Sequence, residues 1–450
     1  MKATAFAGAI VVALAGWASD VVLAQSPGNT APIVPYAEYH AHLLSPATAA
    51  MAHEPVLPAV DVPADLAAVL STLEKGWNDT TVIAGLLGDD VVLYNSGNDD
   101  LPTWVLGRAS GARYLSTRFS RAYRITPVSY HVDGRSAQVA GYLSRGEGAA
   151  TRHFGHVLIA LNKNSSDAWK INAVSPIFPG PPVSDPVTGE KVVAQLDDAG
   201  MKRAAVLSVA YWYGSPYGRP VDDEYSKVRA ENDWVASEVS RYPTRLVGFC
   251  SFNPLKEYAL AEVERCAKNP AFRGIKLHFG NSGVELTRAE DAEKVARVFR
   301  AANQHHLAVV VHMWTSPEYE TEGGKDARVF LTKLLPEAPD VAVQIAHMAG
   351  GGRATDSALA VFANAITAHD PRTKNLYFDV ATLTAGETPE GLQRDAMRMR
   401  QIGLNRILFG SDLSPPNPSP RDSWQMFRLK VPLTDAEFKT IAANVAPYLR

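Results

Sequence analysis

Tyr36-Ala37-Glu38-Tyr39-His40-Ala41-His42-Leu43 is the stretch on which the reading of the chain turns. Side chains alternate along a strand, so His40 and His42 point one way and Ala41 the other. By the same alternation Glu38 shares their face. Two imidazoles at one strand end can share a cation. A zinc-like ion that does chemistry, however, takes three or four protein ligands and keeps a position open. An isolated His-x-His is also an ordinary pair of polar side chains on an edge strand. The pair therefore sets a search for partners at the ends of other strands.

From Val192 onward short apolar runs alternate with helical patterns, and candidate strands begin near Ala204, Arg245, Gly274, Ala308, Ala342, Leu376 and Arg406. A recurrence of roughly 30 to 40 residues is the βα period of a parallel barrel of about 250 residues. With the His40 strand they make eight. A doubly wound sheet is the rival, but evenly spaced units favour a closed (β/α)8 TIM barrel. The gap between strands one and two is far longer than the others, and an inserted domain over 61–181 accounts for it.

Inside that insert, Leu66, Val69, Leu70, Leu73 and Trp77 fall at helical spacing. A short strand at Val91–Tyr94 and a helical stretch at Ala109–Phe119 follow. The strands Tyr123–Val132, Ser136–Ser144, Arg152–Leu161 and Trp169–Val174 come last, the first two joined at Asp133-Gly134, a strong hairpin signal. Helices first and a curved antiparallel sheet last resembles the SnoaL-like α+β cone, the fold of nuclear transport factor 2. Ala47–Pro63, rich in Ala and Pro and without clear periodicity, reads as a linker, and Pro179–Pro186 as a stiff exit. The expected organisation is a signal peptide at 1–24, the first barrel strand and linker at 25–60, the insert, and the rest of the barrel at 182–450.

The whole chain has 450 residues, 46% hydrophobic and 20% charged, with a formal net charge of −3. That is ordinary for a globular protein and leaves no basic footprint for nucleic acid. Lys2, the apolar run Ala3–Gly16 and Val22-Leu23-Ala24 before Gln25 read as a cleaved secretory signal rather than a membrane anchor. The expected location is periplasmic or secreted, with no membrane attachment after removal. Export permits a disulfide. Cys250, in the apolar run Leu246–Cys250, and Cys266, on the next helix, nevertheless read as two unbridged buried residues.

The chemistry of a βα barrel sits at the C-terminal ends of its strands. Strand one ends in His40 and His42, strand four in Lys276 and His278, strand five in His312, strand six in His347 and strand eight in Asp412. A single histidine at a strand end is more often a hydrogen-bonded pocket residue than a ligand. Four imidazoles and a carboxylate in one mouth are different, because each buried polar group left unpaired costs on the order of 1–3 kcal/mol. A cation uses their lone pairs directly.

Glu38-Tyr39-His40-Ala41-His42, Arg273-Gly274-Ile275-Lys276-Leu277-His278, Val311-His312, Ala346-His347-Met348-Ala349-Gly350-Gly351 and Phe409-Gly410-Ser411-Asp412 together resemble the amidohydrolase superfamily. The branch they resemble is amidohydrolase 2, which includes the aminocarboxymuconate semialdehyde decarboxylase-like proteins. Asn444-Val445-Ala446-Pro447-Tyr448-Leu449 looks like that branch's closing segment. The resemblance implies one divalent metal held by His40, His42, His312 and Asp412, with His347 exchanging protons beside it. Zinc is the first choice and manganese the second, since mixed imidazole and carboxylate ligation suits both. A binuclear site bridged by a carbamylated Lys276 is the alternative within the superfamily. Lys276 more readily binds an anionic group of the substrate. Glu38, where the family more often has Asp, has no catalytic role on this reading.

Two chemistries follow from the same parts. In the first, a metal-activated water attacks an amide, ester or lactone, with Asp412 taking its proton and His347 steadying the oxyanion; metal binding brings the pKa of water down from about 15.7 to about 7. In the second, a carboxylic acid is decarboxylated without an oxidant. Trp212 in Tyr211-Trp212-Tyr213, Trp314, Lys276, His278 and Arg353 suggest a small organic acid with an apolar or ring portion. A third reading is a non-catalytic binding protein that uses the cone, where His131, His153 and His156 stand. The cone would otherwise cap the pocket or join two copies in a homodimer.

Overall fold

The computed structural model describes residues 32–52, 57–94, 104–118, 123–145, 152–177, 186–217, 221–316, 318–351, 354–384, 387–413 and 417–450. The signal-like segment, Arg353 and most of the exit linker lie outside them. The described residues divide into two compact units, 57–177 in one and 32–52 with 186–450 in the other.

The larger unit is a ring of eight parallel strands: Ala37–His42, Arg203–Leu207, Leu246–Ser251, Phe272–His278, Ala308–His312, Val343–Ile345, Leu376–Asp379 and Ile407–Leu408. Each pairs with the next in chain order, without the reversal that a doubly wound sheet requires. Tyr39 N donates to Phe409 O at 2.9 Å and His42 N to Leu413 O at 3.0 Å, which closes strand eight onto strand one. The helices between strands are cut by local chemistry. Helix Gly189–Ala199 begins where the Thr188 side chain accepts from Lys191 N, and it stops at Gly200, whose φ of 74° suits glycine. Helix Ala289–Gln304 buries Val295, Val298, Phe299 and Ala302, one stripe at helical spacing.

Two apolar layers result. Ala37, Tyr39, Ala205, Leu207, Phe249 and Val310 fill the inside of the ring together with Ala446 and Leu449 of the C-terminal segment. Ala41, Ala204, Val206, Val309 and Val311 lie in the layer beneath the helices. Strand one crosses between these layers. Glu38 stands opposite Ala204, but Ala41 and His42 stand opposite Val206 and Leu207, so an extra residue is taken up between them. Such a bulge breaks the alternation. Glu38 therefore belongs with the outer-layer position of Ala204, not on the face of His42, which corrects the sequence expectation. His40 and His42 both reach the inner mouth.

Two further expectations are corrected. Part of the stretch read as a linker is helical, Pro46–Ala52. Cys250 and Cys266 are bonded to each other, with Cα atoms 6.4 Å apart. Cys250 points from strand three into the outer layer, and the buried stripe of helix Ala259–Ala267 brings Cys266 over it. Composition does not show that such a strand position and helix position meet.

Asp395 interrupts the apolar stripe of helix Pro389–Ile402, between Leu392 and Met399, and its Oδ2 has no partner. Burial, aided by Glu387, pushes its carboxyl up to about 7. A carboxyl raised on folding holds its proton where the unfolded chain has lost it. The penalty is absent below about pH 4, grows above that and is complete above about pH 7. Asp395→Asn should therefore raise stability by roughly 3 kcal/mol at pH 8 and by little at pH 4. Urea unfolding at both pH values checks this, and a gain independent of pH refutes it.

The smaller unit is a six-stranded sheet in the order Trp104–Leu106, Leu87–Tyr94, Trp169–Ile177, Arg152–Lys163, Ser136–Arg145 and Arg124–Asp133. Its last four strands in chain order, and the pairing of Asp133 with Ser136 across Gly134, match the sequence reading. Leu66, Leu70 and Leu73 from helix Ala64–Lys75, and Trp77 just past its end, pack with Val139, Ile159, Ile171 and Val174. Helix Thr80–Leu86, begun by Asp79 accepting from Thr81 N and Val82 N, and strand Trp104–Leu106 are additions the sequence reading lacks. Among the described residues no helix is long and apolar enough to cross a membrane.

Candidate active site

A cavity of about 250 Å³ opens at the C-terminal ends of the strands, and His40, His42, Lys276, His278, His312, His347 and Asp412 all line it. Leu44, Val209, Tyr211, Trp212, Asn281, Gly351 and Thr382 supply the rest of its wall. Among the described residues His40, His347 and Asp412 form the one group of three whose donor atoms lie within 4.8 Å of one another. Asp412 Oδ1 is the point of convergence. It lies 3.1 Å from His42 Nε2 and 3.5 Å from His40 Nε2. Asn417 Nδ2 donates to Asp412 Oδ2 at 3.2 Å, which leaves Oδ1 for the imidazoles.

The tautomers are set from behind. His40 Nδ1 stands 3.0 Å from Asp379 Oδ2, and His347 Nδ1 stands 3.0 Å from Ala381 O. A carbonyl or carboxylate at Nδ1 keeps the proton there and turns the Nε2 lone pair to the mouth. His42 Nδ1 is buried without a partner. The ring of His347 lies 4.7 Å from that of His40 and 4.9 Å from that of His312, and His312 stacks on His278 at 3.9 Å. Lys276 Nζ reaches His40 Nε2 at 3.3 Å. Convergent Nε2 lone pairs and a carboxylate oxygen suit a divalent cation of the zinc or manganese kind.

Burial, then the nearby Lys276 charge, holds the His40 imidazole down at about 3. Burial likewise presses His278 and His312 well below the ordinary imidazole value. Burial lowers the Lys276 ammonium to about 8, against the pull of Asp379 and Asp412. Burial would raise the Asp412 carboxyl, but the His42 hydrogen bond and the His40 ring outweigh it and hold the group well below the usual range. Neutral imidazoles and an ionised carboxylate are the protonation states that metal ligation requires.

The turns that present these groups are strained. Of nine non-glycine residues with positive φ among those described, five sit here: His347, Met348, Ala349, Thr382 and Asp412. Such conformations cost on the order of 1–3 kcal/mol each and gather at functional sites. His347 is thus not on strand six, which ends at Ile345, but in a left-handed turn after it. Gly410 allows the approach of strand eight, since a Cβ there would lie 2.8 Å from the His40 Cβ.

Trp212, Lys276 and His278, expected to touch substrate, line the cavity. Trp314 does not; Gly351 lines that side, and a Cβ on it would lie 2.9 Å from the Trp314 ring. Arg353 lies outside the described residues. Tyr213 turns away to bond the Thr48 hydroxyl at 2.7 Å. In the smaller unit His131 is exposed on its strand and the His156 ring lies against Tyr142. Asp379, a further residue of the site, ends strand seven as Asp412 follows strand eight, and that strand-end position is its signal in the sequence. Asn417 and Gln344 carried no signal, because their work is to hold other side chains.

The model of the amidohydrolase family matches residues 159–444, and the chain belongs to that family. It is an enzyme of the amidohydrolase fold. No curated protein matches the chain in sequence. Among solved structures, the 5-carboxyvanillate decarboxylase of Sphingomonas paucimobilis is 19% identical, over 58% of this chain and 81% of its own, at a TM-score of 0.42. The apo IDCase of Metarhizium anisopliae is 13% identical over 92% and 97%, at 0.47. An NTF-2-like protein of Shewanella oneidensis is 16% identical over 25% of this chain and 95% of its own, at 0.20.

Proposed function

We propose that the protein is a metal-dependent decarboxylase that acts, without an oxidant, on a small aromatic or unsaturated carboxylic acid. The observation that carries this reading is the charge of the cavity. Buried Lys276 and five imidazoles face a single lining carboxylate, Asp412, among the described residues. The His40, His278 and His312 imidazoles are neutral, so the positive charge comes from Lys276 and from the ion the site would hold; beside aromatic walls that charge selects an organic anion. At about 250 Å³ it holds about one ring, below the roughly 300–1,000 Å³ of sites for drug-sized ligands.

Zinc is the first candidate for the ion and manganese the second. When bound, the ion supplies a Lewis acid toward a substrate oxygen. The Lys276 ammonium takes the substrate's anionic group. Tyr211 and Trp212 face its ring, and Leu44 and Val209 keep water out. When carbon dioxide leaves, its bonding pair stays on the ring or chain carbon, which then takes a proton. His312 and His347 divide the two remaining roles. His347 is the one grouped with His40 and Asp412, but the family resemblance gives ligation to His312, beside His40, His42 and Asp412, and proton exchange to His347, and we follow it. His312→Asn should then lose the ion, while His347→Asn should keep it and lose activity; metal content against rate decides, and the reverse pattern exchanges the roles.

Hydrolysis of an amide, ester or lactone is the second reading. Asp412 favours it, standing between two imidazoles where a water's proton would go. A carboxylate held so far below its usual value is a weak acceptor, since a base works best near the operating pH. The protein is best assayed loaded with zinc or manganese against aromatic acids, amides, esters and lactones. Carboxyl-labelled substrate should release labelled carbon dioxide, with solvent deuterium entering the vacated carbon. Cleavage without gas would establish the second reading instead. The Cys250–Cys266 disulfide also supports export to the periplasm or beyond.

A further inference from the structure

One buried hydrogen-bond chain runs from the C-terminal turn to the site. The Tyr448 hydroxyl donates to Gln344 Oε1. Gln344 Nε2 donates to Asp379 Oδ2 at 2.7 Å and to Tyr39 O at 3.2 Å. Asp379 Oδ2 accepts from His40 Nδ1 at 3.0 Å. Its other oxygen accepts from His347 N at 2.9 Å and Ala381 N at 3.1 Å. Gln344, Asp379 and His40 are all fully buried.

The direction of this chain is fixed at both ends of the Gln344 amide, and Tyr448 holds the far end. A glutamine amide can be turned end for end with almost no change of shape. Turned, Gln344 would set an oxygen lone pair against the Asp379 carboxylate. Asp379 Oδ2 and Tyr39 O, which only accept, hold Nε2 on their side, and Tyr448 completes the arrangement by donating its O–H to Oε1. The Tyr448 ring is itself held edge-on by Tyr39, with centroids 6.1 Å apart, and by Phe249 at 5.0 Å. The Tyr39 hydroxyl in turn donates to Asn444 O at 2.9 Å and accepts from Ala446 N at 3.1 Å. The segment that fills the inside of the ring is therefore anchored by the residue next to His40.

We propose that Tyr448 and Gln344 are positioning residues, through which the turn Pro447–Leu449 sets the orientation of the His40 imidazole from the far end of the chain of hydrogen bonds. The inference rests on the metal reading above, in which His40 is a ligand. Partners behind a ligating histidine typically change metal affinity by about 10–100-fold when lost. Tyr448 stands two links further back, so a smaller effect is expected there.

The test is a direct titration of full-length protein with Mn(II), with the free ion read by electron paramagnetic resonance. Tyr448→Phe should weaken binding about 3- to 10-fold and Gln344→Met about 10-fold or more. The double variant should be no weaker than Gln344→Met alone, because both act through one path. Melting temperatures should drop by only a few degrees. Either variant suffices if the other fails to fold. Unchanged affinity overturns the inference, as do losses that add, which would mark two independent packing defects. Wild-type protein that binds no Mn(II) or Zn(II) would instead overturn the metal reading, and this inference with it.

Discussion

Asp412→Asn is expected to lower kcat/KM by about 1,000-fold or more and to strip most of the divalent ion. Asparagine keeps the volume of the side chain and tolerates the left-handed backbone at this position, φ 59°. The variant should therefore fold. What it loses is the charge at Oδ1, the one atom that both His40 Nε2 and His42 Nε2 approach. A charged acceptor removed from a buried constellation costs about 3–5 kcal/mol, on the order of a hundred- to several-thousand-fold. The loss falls on ion affinity and on rate together, because one oxygen serves both. Metal content, kcat/KM and circular dichroism on the same preparation check it. A folded Asp412→Asn protein that keeps its ion and its rate would remove the centre of the proposed site.

Lys276→Met should move stability and function in opposite directions. The ammonium is buried, with only 1% of the residue exposed, and it sits against the His40 Nε2 nitrogen rather than a carboxylate. Replacing an incompletely matched buried charge by an apolar chain of similar length is often neutral or stabilises by about 1–4 kcal/mol. The same charge is what an organic anion would find in the cavity. Its loss should raise KM, with kcat/KM falling about 100- to 1,000-fold, from the roughly 2–5 kcal/mol a desolvated ion pair represents. A higher melting point beside a lost preference for anionic substrates is the expected pair of results. A variant that melts lower and still takes aromatic acids at wild-type KM would show that Lys276 is structural.

Much of this was legible because barrel strands put chemistry at their last residues. His40, His42, His278, His312 and Asp412 could each be located from the strand that precedes it, and all line one cavity. Periodicity also carried the sheet of the smaller unit, whose turn at Gly134 announces itself. What escaped depends on pairings that sequence spacing does not encode. Cys250 and Cys266 meet only because a particular helix stripe lies over strand three. Glu38 leaves the face of His42 because one residue bulges, and then accepts from His40 N at 2.8 Å and Ser411 N at 2.9 Å, a clamp between strands one and eight. Asp379, Gln344 and Asn417 hold other side chains in place, and residues of that kind leave no periodic trace.

The ring is closed by its two ends. Glu38 and Ser411, bonded to each other, are 373 positions apart. Synthesis proceeds from the N-terminus, so strand one must wait, unpaired on its closing edge, until the polypeptide has emerged past Ser411. Joining such distant points also carries the entropy of a very long loop. No truncated or half-made copy can gather His40 beside Asp412. Catalytic competence then becomes a late event in maturation, granted only to molecules in which strand eight has met strand one.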